Sequence, residues 1–190
     1  MALGIPASHR RVCLLCWASV DRLGEQMTRL TLFAAGVALC LSHCSGPARA
    51  STTELALDVA CPGHRDLAPL VDAAARRQMQ HPVLLVALMR KESHCRADAV
   101  SRKGAVCEMQ LLGVARNGHT RAELQGDSRL CIETGARWLG RMQVWAGSRV
   151  GGLGAYNTGK RGRGMRFARH VLAVEARIWR EMRRAQEPSS

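Results

Sequence analysis

Eight consecutive residues, Pro82-Val83-Leu84-Leu85-Val86-Ala87-Leu88-Met89, carry no polar side chain, and three charged residues follow them directly. Proline is favoured in a first helical turn, so the run reads as a core helix that opens at Pro82, continues through Arg90 and Lys91 and ends near Ser93. In such a helix Leu85, Leu88 and Met89 precede Glu92 by seven, four and three residues, which places the Glu92 carboxyl on the apolar face. Desolvation there disfavours the charged form and raises the pKa, the condition a carboxyl needs to donate a proton near neutral pH. A solvated carboxylate at the polar end of a core helix, without any such role, is the alternative that this segment alone leaves open.

The rest of the chain supplies helical patterns with short polar breaks and no long alternation of β-branched residues. The fold class is therefore all-α, with room for a very small β element. An amphipathic helix is expected over Asp66 to Gln80, and a turn at Ser101-Arg102-Lys103-Gly104. Ala105 to Leu112 suits either an extended strand or a turn or two of helix. Thr120 with Glu123 makes a capping box for a brief helix, and Asp127 or Ser128 can cap a longer one through about Trp145, within which Gly135 marks close packing. A glycine-rich segment spans Gly147 to Gly164, and a basic amphipathic helix closes the chain from about Met165 to Arg184.

Before this domain the sequence has the features of an export signal. Met27 offers a second start, Thr28 and Arg29 a short basic region, Leu30 to Leu41 an apolar stretch, and Ala48-Arg49-Ala50 a small-x-small cleavage site. The expected organisation is an extension over residues 1–26 of uncertain status, a signal peptide over 27–50 and one domain over 51–190. The apolar stretch is shorter than the roughly 20 residues that span a bilayer, so the membrane is expected to matter only through the leader. The 140 residues from Ser51 carry 23 Lys and Arg against 13 Asp and Glu, a net charge of +10. That balance favours a polyanionic setting such as an acidic cell wall. Export to the periplasm or the medium makes nucleic acid the least expected partner.

Four cysteines follow the leader: Cys61, Cys95, Cys107 and Cys131. In an exported chain they suggest two disulfides among three connectivities. The short loop between Cys95 and Cys107 favours that pair, which would brace the segment after Glu92. A structural metal at Cys61-Pro62-Gly63-His64 or His94-Cys95 is the weaker alternative, because neither spacing recurs as a paired zinc pattern. No metal and no cofactor are expected.

Three separated pieces line up: Glu92-Ser93, then Met109-Gln110 after Gly104-Ala105, then Ala155-Tyr156-Asn157-Thr158-Gly159. Their order and spacing resemble those of the soluble lytic transglycosylase domain family, which has the goose-type lysozyme fold and carries Glu-Ser, Gly-Ala-x-Gly-Leu-Met-Gln and Ala-Tyr-Asn-Ala-Gly. The resemblance runs from about His81 to Val171 and takes in Ile132 to Leu139 as the helix between the second and third motifs. Cys107-Glu108 departs from it, standing where the family has Gly-Leu.

The resemblance implies an exported enzyme that cleaves the glycan strands of peptidoglycan between N-acetylmuramic acid and N-acetylglucosamine, leaving a 1,6-anhydro sugar. Glu92 would act as general acid and then as base. Ser93 would orient it or cap the helix; Gln110 and Tyr156 would meet the sugar or serve the structure, Met109 would line the cleft floor, and Asn157 would bind substrate or satisfy the glycine-rich turn. A cell-envelope secretion or pilus assembly is a candidate partner for such a domain. Two other readings of the same fold stay open. A lysozyme-type hydrolase would need a second acid, for which Asp98 and Glu108 are the nearby candidates, and a wall-binding or assembly protein would cleave nothing.

Overall fold

A helix with no polar face has to be enclosed, and the computed structural model, which describes residues 50–187, is organised around that need. Among the described residues seven helices follow in order: α1 Thr52–Ala60, α2 Ala68–Arg77, α3 Pro82–Ser93, α4 Arg121–Gly126, α5 Ser128–Ala146, α6 Arg149–Thr158 and α7 Met165–Gln186. Short 3₁₀ turns occupy Arg65–Leu67 and Gly113–Arg116. Along α3 every residue from Val83 to Met89 is at most 1% exposed. Each large side chain so buried contributes on the order of 2 kcal/mol. Three helices, α1, α2 and α7, pack against it, while α5 and α6 pair with each other and join the core through α2 and α7. The expected extension over 1–26 lies outside the described residues, as does the expected leader over 27–50 apart from Ala50.

The all-α reading holds. Among the described residues there is no strand, only two isolated antiparallel bridges, Val100 with Val106 and Val106 with Leu111. They settle the ambiguous apolar piece at 105–112 as a tight extended loop. Among the described residues no helix is long and apolar enough to cross a membrane.

Helix ends follow local chemistry. The His81 side chain caps α3 by accepting from the Val83 N–H at 3.3 Å. At the other end His94 and Cys95 both adopt left-handed backbone, at φ 59° and 65°. Capping boxes open α1, through Ser51 and Glu54, and α4, through Thr120 and Glu123. The first is a helix for which no element was expected, although its Ser-x-x-Glu signature is plain in the sequence. The helix expected over Asp66 to Gln80 is shorter, because the 3₁₀ turn precedes it and Met79 turns left-handed at φ 50° after its last residue.

The glycine-rich segment is helix over Arg149–Thr158, with turns on either side. Gly152 gives room to Gln143 of α5, and Gly154 meets the backbone of Arg163 and Gly164, so tertiary contact overrides the poor helix propensity of glycine. Arg149 of α6 reaches the buried Glu175 of α7 at 2.6 Å and ties the two helices.

Among the described residues two disulfides are present, but they join Cys61 to Cys95 and Cys107 to Cys131, with Cα separations of 6.0 and 6.3 Å. The expected Cys95–Cys107 pair is therefore corrected. The left-handed turn at Cys95 faces its side chain toward the end of α1, which leaves Cys107 for α5. Both candidate metal pairs lose their sulfur ligands to these bonds.

Gly135 of α5 is a close approach in the core: a Cβ built there would stand 2.6 to 2.7 Å from three side-chain atoms of Met109. Gly135→Ala should therefore destabilise the fold by about 1–2 kcal/mol, since overpacking outweighs the gain in helix propensity. Denaturant unfolding checks this, and a variant as stable as the parent would contradict the packing.

Candidate active site

The last turn of α3, the 105–115 loop, α5 and the end of α6 surround an open groove of about 510 Å³. Glu92 enters it from α3, Gln110 from the loop, Trp138 from α5, and Tyr156 and Asn157 from α6. The three sequence motifs thus meet at one place.

Glu92 is half-buried, and the loss of water around it pushes its pKa up to about 7, against the opposing pull of the neighbouring Lys91 charge. This is the direction expected from its place after the apolar run. Tyr156 is 8% exposed and donates its phenol proton to the Met109 carbonyl at 2.7 Å. Burial, and after it the charge of Glu92, hold that phenol well above its ordinary pKa, so it stays neutral. Its hydroxyl is engaged with the backbone, and its ring borders the groove.

Gln110 is also committed to the protein, donating from Nε2 to the carbonyls of Ala99 and Cys107, each at 3.2 Å. Its side-chain oxygen has no such tie among the described residues. Asn157 is exposed at the rim.

Ser93 and Met109 stand behind the groove rather than in it. Ser93 is buried and donates to the Glu108 carbonyl at 2.8 Å while accepting from the Arg96 N–H at 3.1 Å. Its hydroxyl fastens the loop to the end of α3, in place of the expected bond to Glu92. Met109 is fully buried against Gly135, so it lies beneath the cleft floor rather than lining it.

The two candidate second acids do not reach the groove. Asp98 is exposed on the preceding loop. Glu108 is fully buried and turned toward α5, where one carboxyl oxygen pairs with the Ser128 hydroxyl and the other has no partner among the described residues. Burial raises its pKa, with the Ser128 hydrogen bond opposing. Among the described residues Glu92 is the one carboxylate lining the groove.

Trp138 is a groove residue that the site reading missed. Its Nε1–H points to the Tyr156 carbonyl at 3.5 Å, and Arg141 lies 5.9 Å from its ring centroid. Its helical spacing from Gly135, which faces the Met109 loop, was the signal available. Lys103 adds a cation at the rim.

Comparison with known proteins bears on this arrangement. No curated relative matches the sequence. Among solved structures, an X-ray structure of an inactive mutant of the lytic transglycosylase Slt from Pseudomonas aeruginosa is similar, with a TM-score of 0.53 at 22% identity, over 67% of this chain and 26% of that one. The chain thus spans about a quarter of that protein's length, and at this identity the likeness is one of fold. The family described as the transglycosylase SLT domain matches residues 69–170, more than half of the chain and the stretch that builds the groove, and this protein belongs to that family.

Proposed function

We propose that the domain over 51–190 is an exported peptidoglycan lytic transglycosylase, cleaving the bond between N-acetylmuramic acid and N-acetylglucosamine with Glu92 as its acid and base. One observation carries the reading: among the described residues the groove is lined by a single carboxylate, Glu92, whose burial pushes its pKa up to about 7. Glycosidic cleavage needs a proton on the leaving oxygen as positive charge develops on the sugar. A half-buried Glu92 with its pKa near 7 supplies it at the pH where donation is most effective.

The ionised Glu92 then takes the proton from the C6 hydroxyl of the muramic acid as that oxygen attacks C1. The bond to the leaving sugar has broken, a C1–O6 bond has formed, and Glu92 ends protonated as it began. Because the nucleophile belongs to the substrate, no second carboxylate has to activate water, and holding the hydroxyl beside C1 replaces that requirement. A hydrolase would need the second acid, and both candidates lie away from the groove. The Pseudomonas aeruginosa enzyme of similar fold is inactive when a glutamate is changed to glutamine, which supports a mechanism that needs a glutamate.

Gln110, Tyr156, Asn157 and Trp138 are proposed to contact the sugars, Tyr156 through its ring, while Ser93 and Met109 position the loop behind them. The leader over 27–50 would deliver the domain to the periplasm or the medium. There its basic surface suits the acidic wall, and a secretion or pilus assembly is the partner that would need a local opening.

Mass spectrometry of purified sacculi digested by the protein should find 1,6-anhydro ends. Reducing ends would assign a hydrolase, and intact sacculi a binding protein. Glu92→Gln should lower the rate by about 10³-fold or more. Above pH 7, kcat/KM should fall about tenfold per pH unit, since the acid must be protonated in the free enzyme.

Stability gives a test independent of activity. Glu92 is neutral in the fold up to about pH 7 and ionises in the unfolded chain from about pH 4.5, so it favours unfolding increasingly as pH rises between those values. Glu92→Gln removes that effect. Its Tm should match the parent's at pH 4 and exceed it at pH 8, and equal Tm values at pH 8 would contradict the burial of the acid.

A further inference from the structure

Glu108 is the buried titratable group for which the mechanism has no use. An unpartnered carboxyl oxygen in a core is destabilising, and an apolar residue would avoid it. Beside it, Cys107 holds a left-handed backbone at φ 65°, a conformation that glycine adopts without strain, and Gln110 holds another at φ 48°. The departure from the family's Gly-Leu thus retains two unfavourable features at one turn.

What the two residues hold is specific. Cys107 is bonded to Cys131 and Glu108 to Ser128, so consecutive loop residues are fixed to the first turn of α5. The loop closes on itself through Leu111 N–H to the Val106 carbonyl at 2.9 Å and Gln110 N–H to the Cys107 carbonyl at 3.1 Å. Its next two carbonyls are the acceptors that engage the active-site elements: Glu108 O takes the Ser93 hydroxyl at 2.8 Å, and Met109 O takes the Tyr156 phenol at 2.7 Å. Ser93 follows Glu92 on α3, and Tyr156 borders the groove from α6.

We infer that Cys107 and Glu108, through Cys131 and Ser128, are positioning residues for Glu92: they clamp segment 107–110 to α5 so that its carbonyls hold Ser93 and Tyr156 around the acid and keep water from it. Neither side chain touches the groove, since both are fully buried. The disulfide, closing a 24-residue separation, restricts the unfolded chain and so offsets the local strain. The charged groups that act on Glu108 are His64, after α1, and Asp127, at the head of α5. Lys91 acts on Glu92 from its own helix. The kinetic consequence rests on the function proposed above; the titration does not.

The test is a carbon-13 NMR titration of the Glu92 carboxyl in the full protein, with kcat and KM measured on sacculi at a temperature where circular dichroism shows each variant folded. The parent should titrate near 7. The double variant C107A/C131A and Glu108→Leu should each lower the midpoint by about one unit or more as water reaches the acid. In both, kcat should fall about tenfold or more with KM within about twofold, the pattern of a misplaced group. Glu108→Gln, whose amide can still pair with Ser128, should restore most of both properties. Ser128→Ala, milder than either disruptive variant, should shift the midpoint the same way and serves if the others fail to fold. An unchanged Glu92 midpoint in the folded disruptive variants overturns the inference. A parent that cleaves nothing would instead overturn the function and leave the titration to decide the positioning.

Discussion

The burial of one helix on all sides is the constraint from which the rest follows. Val83 to Met89 of α3 have no exposed face, so α1, α2 and α7 are required around it, and only its last turn can carry polar groups. Arg90, Lys91 and Glu92 emerge there together, half-buried at the edge of the core. Two opposed influences meet at Glu92. The Lys91 charge favours the carboxylate, desolvation favours the acid, and desolvation prevails because water is excluded on the side where the apolar helix continues into the protein. The same packing that stabilises the domain therefore sets the protonation state of the group at its groove.

Position along the chain made that much legible. Apolar spacing located α3 to the residue and placed Glu92 on its apolar side, and the pattern Thr-x-x-Glu located α4. Features set by contact between distant segments were not legible. The short interval from Cys95 to Cys107 favoured a local disulfide, whereas the left-handed backbone at His94 and Cys95 turns the chain back to α1. The glycines of 147–164 suggested a turn, whereas Gly152 and Gly154 allow α6 to approach α5 and the segment before α7. Ser93 and Met109 were placed in the site by motif order alone. Their side chains serve it from behind, a distinction between facing a groove and facing the core that requires the packing of α3, α5 and the loop together.

The surface charge and the groove answer to different demands. Most of the arginines of α7 lie on its exposed face, where they raise the potential of the whole domain and the concentration of an anionic polymer near it. Near the groove, cations are few: Lys91 beside Glu92, Lys103 at the rim and Arg141 at 5.9 Å from the Trp138 ring centroid. A stronger positive field there would stabilise the ionised form of Glu92 and lower the pKa that burial raises. Spreading the positive charge over the outward face of α7 keeps long-range attraction while leaving the acid able to hold its proton.

Glu108 shows how little a residue's type says about its part in the chemistry. It is a carboxyl within the second motif, sixteen positions from Glu92, and by sequence it qualifies as the second acid of a hydrolase. Both acids are raised in pKa by burial, yet only one has a path to solvent and substrate. The backbone decides between them: the left-handed turn at Cys107 and the bond to Cys131 rotate the following side chain toward Ser128 and present its carbonyl to Ser93. What the second carboxyl would have offered as a base in the groove, the loop offers instead as a fixed frame. On the proposed mechanism, in which the substrate brings its own nucleophile, the site needs the frame more than the base.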